Sequence, residues 1–242
     1  MIERLPTLSV VIPVFNEASI LISALNELVG EMDRRKLNFE IIVAENGSTD
    51  ATPQLLVELA RSDPRIRWFH HPSPNYGAAL KRGILAAKGQ WVICDEIDLC
   101  DVSFYDQSLP ILENGLIDMV IGSKAAVGAS DHRPLIRRIA TRAHNQLLRI
   151  ALRFKGTDTH GLKAFARNAV LPVVNACVVD RDVFASELVI RSWRAGLSIL
   201  EIPVQLREKR LPSIHLFRRV PNVLKNVAKL VYVVRIRKGG LL

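Results

Sequence analysis

Apolar-rich runs punctuate this chain at 8–14 (LSVVIPV), 39–43, 66–69 and 91–94. Near-continuous apolar stretches of this length mark strands buried on both faces. Pro13 is expected to break the first run near its end. Between the runs the rhythm changes to a helical period. Ile20, Leu21, Ala24, Leu25 and Leu28 share one face. Thr52 and Pro53 supply an N-cap and a first helical residue for a second helix, to about residue 61. The segment 75–83 opens a third, to about residue 88. Beyond 101 the pattern predicts a helix at 103–115 and a strand at 118–122. Within 133–155 a helical face carries Ile136, Ile139, Ala140, Ala143, Leu147, Ile150, Ala151 and Phe154. A turn at 157–163 follows, then a strand at 163–166, a helix at about 181–195 closed by Gly196, and a strand at 198–205. The tail, 217–238, reads as a helix with Val223, Leu224, Val227, Leu230, Val231 and Val234 on one face and Asn222, Lys225, Asn226 and Lys229 on another. Strand and helix alternating through short loops predict an α/β fold with a mostly parallel sheet and right-handed crossovers.

The 242 residues suffice for one domain with a full core, or one domain and a tail. Cys94, Cys100 and Cys177 form no CxxC pair, which argues against a disulfide framework or structural zinc and fits a reducing, cytoplasmic setting. The N-terminus has no leader pattern, and no run of 18 apolar residues predicts a transmembrane helix.

Charge changes the picture more. The net charge is +9. Residues 205–242 hold ten Lys/Arg and one acid, so they account for all of it, and the first 204 residues are neutral on balance. Residues 133–155 add seven Lys/Arg and no acid. Such segregation points to an anionic partner: phosphate, anionic lipid or nucleic acid. The basic residues lack interleaved aromatics and any RNA-binding motif, so nucleic acid is not expected. The tail can lie in a membrane interface, held by its charge, or pack on its own domain or on a second subunit, so an oligomer stays open.

Candidate chemistry sits at the strand ends, where ligands of parallel sheets bind. Three polar clusters fall there: Asn16/Glu17, the hexapeptide 45–50 (ENGSTD), and the acidic stretch after 91–94. The last holds Asp95, Glu96, Asp98 and Asp101, four like charges that repel unless a cation or water relieves them. Glu96 and Asp98 are two residues apart and on an extended backbone point to one side. Oxygen donors so placed suit Mg²⁺ or Mn²⁺. The plainer readings are a solvated acidic turn for this stretch and helix capping for Glu45 and Asp50.

Taken in order, these clusters resemble family 2 glycosyltransferases of the GT-A fold, most closely the dolichol-phosphate-mannose-synthase-like branch. The resemblance covers about residues 7–215. It rests on Pro13-Val14-Phe15-Asn16-Glu17 (P-x-[YF]-N-E), Glu45 to Asp50 (D-D-G-S-x-D), Asn75-Tyr76-Gly77-Ala78-Ala79, Gly89 to Leu99 (a strand, then D-x-D-L), Asp158 to Lys163 (D-x-x-S-G-[FL]-[RK]), Glu187, and Glu201-Ile202-Pro203-Val204. Three departures stand out. Glu45 and Asn46 replace the two acids of the second motif. Glu96-x-Asp98 replaces D-x-D, with Asp95 where an apolar residue is usual. His160 stands in place of a serine.

The resemblance implies a GT-A domain at 1–215, and the periodic, basic remainder at 216–242 reads as an amphipathic helix. It implies a metal-dependent, inverting transferase with a UDP- or GDP-linked sugar donor. Pro13, Val14, Asn16, Glu17, Glu45, Ser48, Asp50, Asp95 and Glu96 would hold the nucleotide, and Glu96 and Asp98 the metal. A hydroxyl acceptor needs a general base, for which Asp158 is the candidate. A lipid phosphate needs cationic clamps instead. Lys124, Arg133, Arg137 and Arg138 supply these, with Asp98, Asp158, Arg133 and Arg137 as the catalytic set. The Arg-rich segment and the tail favour a polyprenyl-phosphate acceptor. A glycolipid or polysaccharide hydroxyl is the alternative, and a non-catalytic nucleotide-sugar-binding or membrane-interaction protein is the reading from another class. The expected setting is cytoplasmic and peripheral, at the inner face of the membrane, in the service of the cell envelope.

Overall fold

The computed structural model describes residues 5–126, 128–131, 135–179, 183–206 and 216–235. In chain order the elements are β1 (Leu8–Val14), α1 (Leu21–Arg34), β2 (Phe39–Glu45), α2 (Thr52–Ser62), β3 (Ile66–His70), α3 (Tyr76–Ala86), β4 (Trp91–Cys94), α4 (Val102–Glu113), β5 (Met119–Ser123), β6 (Ser130–Asp131), α5 (Leu135–Leu152), β7 (Lys163–Ala166), α6 (Arg167–Ala176), α7 (Phe184–Arg194), β8 (Ile199–Pro203), β9 (Gln205–Leu206) and α8 (Leu216–Arg235).

The main sheet has the order β3-β2-β1-β4-β7-β5-β8. All neighbours pair in parallel except β7, which runs antiparallel between β4 and β5. Every residue of β2 is buried, and of β1 all but the partly exposed Pro13, as the apolar runs require of strands covered on both faces. One face is covered by α1, α2 and α4 through Leu21, Leu25, Leu56, Phe104 and Tyr105. The other is covered by α3, α5, α6, α7 and α8 through Leu80, Leu148, Val173, Phe184 and Leu230. The helix α3 lies so close to β1 that a Cβ on Gly83 would sit 2.4 Å from Val11 Cγ1. Only glycine allows that approach.

Several expectations need correction. Pro13 does not break β1, which pairs with β2 through Pro13 to Val14. Pairing with β4 has already ended at Val11, so the missing proline N–H costs no ladder bond there. The helix α6 was not expected, because Pro172 and a valine-rich sequence mask its period. The expected strand at 198–205 is two, β8 in the main sheet and β9 paired with β6. The apolar stripe of α5 faces outward in part: Leu148 and Leu152 are buried, but Ile139 is 56% and Ile150 70% exposed, with Leu147 also exposed. The tail helix α8 packs on the domain through Val227, Leu230 and Val234, beside α5, and Arg194 Nη1 donates to Val234 O at 2.8 Å.

Candidate active site

Because β1, β2 and β4 run in parallel, their carboxyl ends open on one rim of the sheet. The loops that follow β1 and β2 are stitched together there. The Asn16 amide donates to Ser48 Oγ at 2.9 Å, and the Thr49 amide donates to Asn16 Oδ1 at 2.8 Å. The Glu17 amide donates to Thr52 Oγ1 at 2.9 Å. Asp50 accepts from the Ala18 amide at 3.1 Å and the Thr52 amide at 3.0 Å. Burial pushes the Asp50 carboxyl up, but the hydrogen bonds from Thr52 and Ala18 outweigh it and hold it below the usual range. Asn16 takes a positive φ of 55° to make this turn, a conformation asparagine tolerates better than most residues. The Asn46 amide donates to Val14 O, and Asn46 Oδ1 accepts from the Asn75 amide, which joins the start of α3 to the same rim. Glu45 is fully buried, and its carboxylate meets the Ser48 amide on one side and His70 Nδ1 on the other.

The acidic stretch divides into three different environments. Asp95 turns inward and is 2% exposed. It accepts from Tyr105 Oη at 2.6 Å and from the Glu96 amide at 2.6 Å. Burial pushes its carboxyl up to about 7, against the opposing hydrogen bond from Tyr105. After Asp95 the backbone is not extended. The amides of Leu99 and Cys100 both reach back to Glu96 O, at 2.9 and 3.1 Å, closing a turn. Glu96 and Asp98 therefore do not share a side by strand alternation. Ile97 between them is buried in the core, which leaves both carboxylates partly exposed on a turn anchored from below. Asp101 caps α4, accepting from the Ser103 amide at 3.1 Å.

The antiparallel course of β7 brings the 156–162 turn to this rim, with Lys163 paired to Cys94. Asp158 is fully buried and accepts from the amides of Lys124 at 3.2 Å and His160 at 2.9 Å. Burial raises its carboxyl, but the Lys124 charge and the His160 amide outweigh this and hold it below the usual range. Four side chains bolt the turn in place. Glu201 accepts from the Thr157 amide at 2.7 Å and from the Thr157 hydroxyl. Ser123 Oγ lies 2.7 Å from Thr157 Oγ1. From α5, Asn145 Nδ2 donates to Thr157 O at 2.7 Å and Arg149 Nε to Gly156 O at 2.9 Å. A Cβ on Gly161 would lie 1.7 Å from Gly122 O, so only glycine passes there. Lys163 is buried, with Nζ donating to Gly161 O at 2.7 Å. Burial holds its ammonium below the usual lysine range, while Cys94, Asp158 and Glu96 pull the other way.

The family model described as glycosyl transferase family 2 matches residues 9–165. The chain belongs to that family. It is 31% identical over 217 residues to glycosyltransferase AglD of Haloferax volcanii, which covers 88% of this chain and 35% of the relative. It is 27% identical over 214 residues to a dolichyl-phosphate beta-glucosyltransferase of Trichomonas vaginalis, covering 82% of this chain and 63% of the relative. The chain thus spans about a third of the first relative's length and under two thirds of the second's. Among solved structures it is similar to glucosyl-3-phosphoglycerate synthase from Mycobacterium tuberculosis. The complex with UDP superposes at TM-score 0.64 and 20% identity, covering 93% of this chain and 79% of that one. The complex with Mn²⁺, UDP-glucose and phosphoglyceric acid gives 0.66 at 20% identity, covering 93% and 80%. These structures share the mixed α/β fold with its mostly parallel sheet.

Within this family 2 fold, the sequence-selected residues fall into two groups. Pro13, Val14, Asn16, Glu17, Glu45, Ser48, Asp50, Asp95, Glu96, Asp98, Lys124 and Asp158 all belong to the rim or its two flanking loops. Most of their polar groups face one another, so they shape the rim as well as line it. Arg133 lies outside the described residues. Arg137 is in α5 with its side chain outside them, and Arg138 is half-buried on α5. Sequence reading passed over His70 and Tyr105, and took Lys163 only as the last residue of the 158–163 motif. The one available signal was for His70, at the end of the strand that pairs with β2. Among the described residues no three His, Cys, Asp or Glu side chains cluster to hold a metal ion. Two partly exposed carboxylates on one turn still fit a hard divalent cation that takes its remaining oxygens from a diphosphate.

Proposed function

We propose that this chain transfers a sugar, with inversion, from a UDP- or GDP-linked donor to a polyprenyl phosphate at a membrane surface. One observation carries the choice of acceptor. Asp158, the base candidate read from the sequence, is fully buried, accepts two backbone amides and is held below the usual carboxylate range. A group so committed is a poor acceptor for a hydroxyl proton. A phosphate monoester needs no such base, because it is already largely ionised at neutral pH. Lys124 and Arg138, with Arg133 and Arg137, supply the cations to clamp it. The names of the dolichyl-phosphate relatives agree with a lipid-phosphate acceptor.

In this reading a phosphate oxygen of the acceptor attacks the anomeric carbon, and the bond from that carbon to the donor diphosphate breaks. The loops after β1 and β2 hold the nucleotide. Glu96 and Asp98 would hold Mg²⁺ or Mn²⁺, which when bound stabilises the charge on the departing diphosphate. The bolted 156–162 turn fixes Lys124 and the start of β7 against the rim. The outward residues Ile139, Leu147 and Ile150, flanked by Arg142 and Arg149, suit contact with an anionic bilayer. In this reading the protein sits peripherally, at the cytoplasmic face of the membrane.

The test is product analysis. Labelled UDP- and GDP-sugars are supplied with Mn²⁺ and either polyprenyl phosphate or glycan acceptors. Label is expected in the polyprenyl-phosphate fraction. Label that enters a glycan and never the lipid overturns the acceptor assignment.

A further inference from the structure

The family motif carries aspartate where this chain has Glu45, and the extra methylene is put to use. Glu45 is fully buried. One carboxylate oxygen takes the Ser48 amide, and the other meets Nδ1 of His70, the residue directly opposite Glu45 in the β2–β3 register. Both oxygens are committed to the protein. The side chain left on the surface is His70, 51% exposed, at the carboxyl end of the edge strand β3 and so on the ligand rim. Its surroundings are fixed. Arg82 lies over the Phe69 ring at 4.2 Å and donates to His70 O at 3.0 Å. The next amide, of His71, donates to Glu45 O at 2.9 Å. The His71 ring is engaged separately, with Nδ1 at 2.7 Å from Ser73 O.

We infer that His70, oriented by Glu45, reads the nucleobase of the donor by accepting a ring N–H. A carboxylate only accepts, so the contact with Glu45 puts a proton on Nδ1; in a neutral imidazole so oriented, Nε2 on the opposite edge is an acceptor. Uracil and guanine carry a ring N–H on their pairing edge. Cytosine and adenine carry a bare ring nitrogen there, which would face Nε2 lone pair to lone pair. Glu45 is then a positioning residue and His70 the specificity-determining one. The inference rests on the nucleotide-sugar reading above and goes further, in naming the residue that selects uracil or guanine over the other bases.

Calorimetric titration of UDP, GDP, CDP and ADP with Mn²⁺ tests it, with inorganic pyrophosphate as a probe that lacks a base. Wild-type protein is expected to bind UDP or GDP about tenfold or more above CDP and ADP, the worth of one hydrogen bond. His70→Ala is expected to lose that preference and leave pyrophosphate binding unchanged. His70→Gln, whose amide oxygen can accept in place of Nε2, is expected to recover part of it. If the alanine variant does not fold, His70→Phe keeps the ring without the acceptor and carries the same comparison. Wild-type protein that binds none of the four nucleotides overturns the donor reading and this inference together. Wild-type protein that favours UDP or GDP, with an alanine variant that favours them equally, overturns this inference alone.

Discussion

Asp95 is a carboxylate buried one residue before the proposed metal ligands, and among the described residues Tyr105 and the Glu96 amide support its charge. Its pKa, raised from 3.8 to about 7 by burial, has a consequence for stability. The folded state keeps a proton that the unfolded state releases at lower pH. The stability this provides is full below the unfolded value near 4 and is lost as pH rises through about 7. At roughly 1.4 kcal/mol per pKa unit, Asp95→Asn should stabilise the metal-free protein by about 2 kcal/mol at pH 5 and about 4 kcal/mol at pH 8. Denaturant melts in EDTA at the two pH values check this, and equal gains at both would contradict it. Tyr105→Phe should destabilise more at pH 8 than at pH 5, because the ionised form depends most on the Tyr105 hydroxyl. The neighbouring, partly exposed acids predict the opposite pattern, functional and not structural. Glu96→Ala and Asp98→Ala should each cut transfer by about 100-fold or more, since a lost Lewis acid is worth several kcal/mol, with unfolding midpoints unchanged within a few degrees. Glu96→Asp should retain much of the activity, because the donor chemistry is preserved.

At the scale of elements, the turn at 156–162 joins the fold to the proposed site. Glu201 on β8, Ser123 on β5 and Asn145 and Arg149 on α5 all converge on it. Glu201→Gln should weaken the Thr157 contacts by roughly 1–2 kcal/mol. It should raise KM for the acceptor several-fold while leaving nucleotide affinity unchanged, a split that titration and initial rates separate. A general loss of both would mark a merely structural role. Much of this architecture was legible in the sequence, because strands buried on both faces must be apolar throughout and their loops must then carry the polar chemistry. β1, β2 and β4 and their three polar ends follow from that rule alone. What escaped has physical reasons too. Pro172 disguised α6, and the turn after Asp95 overrode the alternation expected of Glu96 and Asp98. The Glu45–His70 contact depends on register between strands separated by a helix, which local pattern does not encode. Period also fixes an apolar face without saying which way it looks, so the outward turn of α5 had to be seen.

Over the whole molecule, charge and exposed apolar surface coincide, and this has a measurable consequence. The segments 133–155 and 205–242 hold 17 of the 33 Lys/Arg residues against a single acid, Glu208. The α5 and α8 helices formed from these segments pack side by side. On α5, the exposed Ile139, Leu147 and Ile150 accompany Arg142 and Arg149; on α8, Leu224 and Tyr232 accompany Lys225 and Lys229. No helix is long and apolar enough to cross a membrane among the described residues. Any bilayer contact through these helices would therefore be at the surface, with each basic residue near an anionic leaflet worth about 1 kcal/mol and each buried isoleucine about 1–2 kcal/mol. The protein should float with phosphatidylserine vesicles and not with phosphatidylcholine vesicles, and 500 mM salt should release most of it, since screening shortens the reach of the charges. Ile139→Asp combined with Ile150→Asp should weaken vesicle binding by about tenfold or more while leaving nucleotide titration unchanged. The same variant should lose transfer to a long-chain polyprenyl phosphate in vesicles but keep transfer to a short, water-soluble analogue. If both acceptors are lost equally, α5 acts through the turn it anchors and not through the bilayer.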